Sequence, residues 1–140
     1  ELALLRDPAS QDAIRNDAGA QEIKIALDQA MRNLKILSDA GVTIAMGSDS
    51  GSSNDWGRWQ GYFEHVEMEM MVEAGMSEMQ VLLAATGNAA QIMNLDEIGT
   101  IEPGKWADLL VLNADPLIDI RNTREIDSVW IAGNRRAMTR

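Results

Sequence analysis

The sequence predicts an α/β chain that turns mostly to β structure after about residue 96. Three observations carry this. From Gln21 to Ala40, apolar residues recur in steps of three and four at Ile23, Leu27, Ala30, Met31, Leu34 and Leu37, the stripe of an amphipathic helix. Gly41 follows where a helix would end in a left-handed residue, and Val42 to Met46 is then a short run, apolar except for Thr43, without alternation. Such a run reads as a strand covered on both faces. After Gly99 the texture changes to short apolar segments separated by Pro103-Gly104, Asp115-Pro116 and Gly133-Asn134.

The elements follow in order. Gly47 to Gly61 is rich in Gly, Ser, Asn and Asp and reads as a loop. A second helix is expected over Tyr62 to Ala74, stopped by Gly75. Ser77 with Gln80 has the spacing of a capping box, which opens a third helix through about Ala85. A short helix is expected over Asn88 to Met93. Ala107 to Asn113 and Asp127 to Ala132 read as strands, with Gly133-Asn134 as the turn that sends the chain back in a hairpin. We divide the chain into residues 1–96, of α/β character, and 97–140, mostly β.

Composition narrows the function. At 140 residues the chain is near the size of one domain. Lys and Arg total 12 against 22 Asp and Glu, a net charge of −10. That argues against nucleic acid, whose binding needs a basic face, and against an anionic membrane surface. No apolar run approaches the roughly 18 to 20 residues of a membrane span. There is no cysteine, which excludes disulfides and thiolate chemistry without identifying a compartment; the cytoplasm is favoured. There is one histidine, His65, whereas self-contained zinc sites usually draw on several His or Cys ligands. The chain opens on Glu1 rather than Met, so a fragment is a standing reading and a missing signal peptide is uninformative.

Gly47-Ser48-Asp49-Ser50-Gly51 stands directly after the apolar run. In open α/β sheets and in (β/α)₈ barrels the C-terminal ends of the strands carry the ligand site. An aspartate there can ligate a metal or accept a proton from water, or can simply make a turn by bonding its own loop backbone. A phosphate loop is excluded by the missing Gly-Lys-Ser/Thr ending. A calcium loop counted from Asp49 puts Gly51 and Gln60 where ligands are needed. Gly47-x-Asp49-x-Gly51 also copies a nucleophile elbow with Asp in place of Ser, the weaker alternative.

His65 is either a surface or partly packed residue or a ligand. Glu64, Glu67 and Glu69 would raise its pKa if close, and are otherwise a solvated face. Met68, Met70, Met71, Met76 and Met79 read as core filler. Trp56 and Trp59 either line a pocket mouth or pack against the following helix.

Several of these motifs together resemble the metal-dependent amidohydrolase superfamily. Gly47-Ser48-Asp49, His65-Val66-Glu67, Val72-Glu73-Ala74-Gly75-Met76 and Ala84-Ala85-Thr86-Gly87-Asn88-Ala89-Ala90 follow one another at that superfamily's spacing. The tail Gly99-Thr100-Ile101-Glu102-Pro103-Gly104-Lys105-Trp106-Ala107-Asp108-Leu109 resembles its "G-x-I-x-x-G-K-x-A-D-L" signature, and Asn113 to Ile120 resembles the "N-P-L-x-D-I" that follows. The similarity runs over roughly residues 20 to 136 and is nearest the imidazolonepropionase and prolidase-like branch.

The resemblance implies the C-terminal part of a (β/α)₈, TIM-like barrel followed by strands of a small β-sandwich domain. It implies hydrolysis of a C–N bond in a small amide, cyclic amidine or dipeptide-like substrate. Of the family's metal ligands only the eighth-strand aspartate has a counterpart, Asp49. That residue would touch the metal, take a proton from the attacking water and pass it to the leaving nitrogen. The implied cofactor is a divalent metal, zinc, in the complete enzyme, and none in this chain alone. Ser50, Ser52 and Ser53 would border the substrate pocket, with His65 a further pocket candidate. Lys105 and Asp108 would be structural. The implied partners are a small-molecule substrate and either a second copy or the missing N-terminal part of the barrel. An inactive fragment or assembly module is the alternative.

Overall fold

A computed structural model describes residues 6–51 and 59–137. Helix α1 covers Pro8–Asn16 and was not expected from the sequence pattern. Its start is nonetheless written there: Asp7 is the cap, its carboxylate accepting the Ser10 N–H at 2.9 Å, and Pro8 takes the first turn, where a missing N–H costs nothing. Helix α2 covers Ala18–Asp39, capped by Asp17 through the Ala20 N–H at 2.7 Å. It ends on Gly41 as the sequence predicts. Gly41 has φ +76°, its N–H donates to the Ser38 carbonyl and the Val42 N–H to that of Leu37, each at 3.0 Å. This pair of bonds is the Schellman ending, and it needs a left-handed residue at this position.

Helix α3 covers Phe63–Glu73 and ends on Gly75 in the same way. Helix α4, Glu78–Ala85, opens with the predicted capping box. The Ser77 hydroxyl accepts the Gln80 N–H and the Gln80 side chain accepts the Ser77 N–H. Helix α5 covers Gly87–Ile92. Strands β1 (Leu109–Leu112), β2 (Ile126–Ile131) and β3 (Asn134–Arg136) form one antiparallel sheet in the order β1-β2-β3, with a 3₁₀ turn over Ile120–Arg124 between β1 and β2. The hairpin turn lies one residue earlier than expected. Ile131 pairs with Asn134, and the two linking residues, Ala132 and Gly133, both have positive φ, as a type I′ turn requires. Asp108 accepts the Ala132 N–H at 2.7 Å, so the signature aspartate fastens the start of β1 to this turn.

Val42 to Met46 corrects the sequence reading. It joins no strand ladder among the described residues, and the sheet after residue 106 is built without it. Its backbone is held by helix ends instead: the Met46 N–H donates to the Ala84 carbonyl at 2.9 Å and the Asn88 amide donates to the Ile44 carbonyl at 2.9 Å. An apolar run forms a strand only when other strands offer the complementary N–H and C=O groups.

The core gathers Met68 and Met71 of α3, Met76 of the link that follows, Val81 and Ala84 of α4, and Ile120 of the 3₁₀ turn, with Leu34 of α2 and Ile44 and Met46 packed against it. Three of the five methionines are therefore core, while Met79 is half exposed. Ile120 brings the C-terminal segment onto α3, so the two halves of the chain share one apolar cluster. Helix α2 buries no residue completely, and its Ile23, Ile25 and Ile36 are largely exposed.

Candidate functional site

Asp49 lies three residues beyond Met46, exposed, with φ +50°. A left-handed conformation is uncommon for a residue with a side chain, and Asp and Asn adopt it most readily because their short polar groups bond locally. The chain thus turns sharply at Asp49 where the apolar segment gives way to the loop. Gly51 follows with φ +91°, and a Cβ placed there would stand 2.5 Å from the Gln60 side chain, so the two sides of the loop meet at its base.

Glu64, in the first turn of α3, holds that base. Its Oε2 accepts the Gly61 N–H at 2.7 Å and its Oε1 accepts the Ser50 hydroxyl. The hydrogen bond from Ser50 is the main cause holding the Glu64 carboxyl below its ordinary value of 4.5; burial opposes it, and backbone N–H groups reinforce it. The Ser50 N–H lies 3.3 Å from the Ser48 hydroxyl. Sequence reasoning placed Ser50 near the pocket but read Glu64 only as a neighbour of His65. The available signal was an acidic residue in the first turn of a predicted helix, three residues after a glycine. Ser52, Ser53 and Trp56 lie outside the described residues. Trp59 packs edge-on to Tyr62, ring centroids 6.3 Å apart, with Arg124 over the other ring at 5.1 Å from the Tyr62 centroid.

His65 is tied to the other half of the chain. Its Nδ1 lies 2.9 Å from the Thr123 hydroxyl, and that hydroxyl donates its single proton to the Ile120 carbonyl at 2.8 Å. Nδ1 must therefore carry the proton in this pair. Its pKa is lowered rather than raised, which corrects the expectation from the acidic neighbours. Burial is the main cause and the Arg124 guanidinium the next, and together they outweigh Glu64 and Glu69. Arg124 also pairs with Glu69, so Tyr62 at the N-cap of α3 and His65 and Glu69 on that helix all face the 3₁₀ turn.

A groove of about 420 Å³ runs between α2 and α3, floored by Gly47 and Ser48 and walled by Leu27, Met31 and Met70. No three His, Cys, Asp or Glu side chains come together to hold a metal ion among the described residues. Asp49 alone is one donor, short of the three protein ligands a catalytic zinc normally takes. The described residues do not by themselves fit a metal centre. The strand that would lead into an aspartate-nucleophile elbow is not formed among the described residues, where Val42 to Met46 joins no sheet.

The sequence pattern of the amidohydrolase family matches residues 4–136. The chain belongs to the amidohydrolase family. That family has a TIM-barrel fold and is generally metal-dependent. The amidohydrolase chain is 31% identical over 105 residues to an imidazolonepropionase of Deinococcus deserti, covering 71% of this chain and 25% of that protein. It is 29% identical over 100 residues to a 5-methylthioadenosine/S-adenosylhomocysteine deaminase of Halalkalibacterium halodurans, covering 64% of this chain and 21% of that protein. Among solved structures it resembles a putative prolidase from Bifidobacterium longum at 38% identity and a TM-score of 0.66, over 74% of this chain and 25% of that one. The chain thus spans about a quarter of the length of the relatives it matches.

Proposed function

We propose that the protein containing this chain hydrolyses a C–N bond in a small amide, cyclic amidine or dipeptide-like substrate, with Asp49 as its general base. The observation that carries this is the position of Asp49. It is an exposed carboxylate at a sharp left-handed turn, directly after an apolar segment, inside the stretch matched by the amidohydrolase family. Water attacks the carbon of the scissile bond while the Asp49 carboxylate accepts its proton. As the C–N bond breaks, the same carboxyl returns that proton to the leaving nitrogen, so one group serves both half-steps. Zinc is the metal we propose for the complete enzyme, its remaining ligands lying outside these 140 residues, and β1–β3 would be part of a small sandwich there. Residues 1–96 and 97–140 would then be the barrel segment and the sandwich segment.

The substrates named for the relatives define the test. Full-length protein is offered a Met-Pro dipeptide, imidazolonepropionate and 5-methylthioadenosine, before and after chelation. Turnover of one of these, removed by chelation and lowered in Asp49→Asn, is the expected outcome. Turnover that survives both treatments would overturn the reading. A second reading is that residues 1–140 alone are catalytically inert, since Asp49 supplies one donor where a catalytic zinc normally takes three protein ligands. Elemental analysis of the isolated chain decides it, since one tightly bound metal per chain is incompatible with inertness of this kind.

A further inference from the structure

We propose that Glu64 is a positioning residue for Asp49, acting through Ser50 to fix the backbone of the turn that carries the base. The inference rests on the reading of Asp49 as general base. Glu64 is the point where two stretches of chain, 47–51 and 60–64, are joined. One carboxylate oxygen takes the Gly61 N–H at 2.7 Å and the other takes the hydroxyl of Ser50, the residue next to Asp49. Both oxygens are therefore committed within the molecule, and both bonds are to an ionised acceptor, the stronger class of hydrogen bond.

The reason such a clamp matters is the backbone of Asp49 itself. At φ +50° it occupies a sparsely populated conformation, which persists only where the surroundings over-determine it. On its N-terminal side the chain is secured by the Met46 N–H on the Ala84 carbonyl. On its C-terminal side, the bond between Ser50 and Glu64 reaches across to α3, with Gly51 seated against the Gln60 side chain. α3 is in turn rooted in the core through Met68 and Met71. Glu64 thus transmits the rigidity of a packed helix to a turn that has no ladder of its own. The Ser50 proton is spent on this bond, so towards a substrate Ser50 offers only acceptor lone pairs.

The test uses the full-length protein and the variants Glu64→Ala, Glu64→Gln, Ser50→Ala and the Ser50→Ala/Glu64→Ala pair. Amide hydrogen exchange is followed over 44–51 and over a core peptide of α4, with Met-Pro hydrolysis measured in parallel. Glu64→Ala should quicken exchange over 44–51 by about tenfold and leave the α4 peptide unchanged, as expected for local rather than global opening. The double variant should be no faster than Glu64→Ala, because Glu64 acts through Ser50. Glu64→Gln, which keeps one acceptor oxygen, should lie between. In the activity arm, kcat should fall about tenfold with KM little changed, the effect of a misplaced catalytic group. Unchanged exchange over 44–51 in Glu64→Ala overturns the inference whether or not Met-Pro is a substrate. Additive effects of the two substitutions overturn the route through Ser50. Should Asp49→Asn abolish turnover while Glu64→Ala alters neither readout, this inference falls and the general-base reading stands. If Asp49→Asn turns over normally, the reverse holds: the catalytic reading falls and exchange alone decides whether Glu64 holds the turn.

Discussion

His65 Nδ1 donates to the Thr123 hydroxyl across 2.9 Å, and that hydroxyl donates to the Ile120 carbonyl, so a helix and a distant 3₁₀ turn are joined by two hydrogen bonds in series. The lone histidine serves the packing of the C-terminal segment on α3, where Arg124 pairs with Glu69 beside it. A charged imidazole here would face the Arg124 guanidinium in a partly desolvated setting, which is why its pKa lies below the ordinary 6.5.

This fixes the sign of a pH dependence. A histidine whose folded-state pKa is depressed binds its proton more weakly when folded, so the unfolded chain takes up more protons over the interval between the two values. Stability contributed by neutral His65 is complete above the ordinary value and is lost as pH falls through it towards the lower folded value. The thermal midpoint should therefore drop on acidification from pH 7, and this component should vanish in His65→Gln. A His65→Gln protein with the same slope would assign the dependence to other groups. Thr123→Val at neutral pH should cost about 1 kcal/mol, the usual net worth of a hydrogen bond, because His65 is only partly buried.

The second prediction separates the chemistry of Asp49 from its backbone. Asparagine tolerates the left-handed conformation nearly as well as aspartate, so Asp49→Asn removes the basic oxygen while leaving φ +50° accessible. Turnover should fall by roughly 10² to 10⁴, the usual worth of a general base, with the thermal midpoint unchanged. Asp49→Ala should add a stability loss of about 1 kcal/mol, because alanine pays for that conformation without a local hydrogen bond. Equal melting of both variants would show that the turn is not strained, and near-normal turnover in Asp49→Asn would reduce Asp49 to a turn residue.

The local signals were legible wherever the information is local. Gly41, Gly75 and the Ser77–Gln80 box announced helix ends and a helix start, and each is met by the corresponding hydrogen bonds. The Asp7-Pro8 start of α1 was equally written in the sequence and was missed because its residues carry too few apolar positions to make a stripe. Val42 to Met46 failed for a different reason: hydrophobic content tells a segment to be buried, but strand pairing depends on partners elsewhere. The site divides in the same way. Asp49 stood out by type and position, whereas the bond from Ser50 to Glu64 spans a loop whose path no spacing rule fixes.

Gly41 supplies the third prediction. A Cβ at this position would meet nothing within 4 Å, so any cost of Gly41→Ala is the cost of φ +76° alone. That cost should be about 1 to 2 kcal/mol, and Gly41→Asn should recover part of it. Gly75→Ala adds a collision with the Lys35 side chain at 2.8 Å, but that chain is flexible and can move aside. The two alanine variants should therefore lose similar stability, as read from denaturant midpoints at constant slope. A neutral Gly41→Ala would mean that α2 does not end in the left-handed turn.

The last prediction concerns what covers the apolar surface around Val42 to Met46. The segment is satisfied on one side by the Ala84 carbonyl and the Asn88 amide, yet it joins no sheet among the described residues, and Val42 remains about half exposed. The preceding helix adds Ile23, Ile25 and Ile36, each more than 60% exposed on α2. Groups of this kind exceed what a monomeric surface normally leaves open, and strand-competent backbone beside them invites pairing with another chain. Expressed by itself, the 140-residue chain should self-associate or bind a hydrophobic dye such as ANS. In the full-length protein the same surface should be covered and dye binding absent. Charged substitution makes the test specific: Ile23→Lys should reduce self-association of the isolated chain, because a lysine on the apolar stripe of this helix cannot be desolvated cheaply. A monodisperse isolated monomer that binds no dye would show that α2 and the 42–46 segment need no cover, and that the helix ends alone satisfy them.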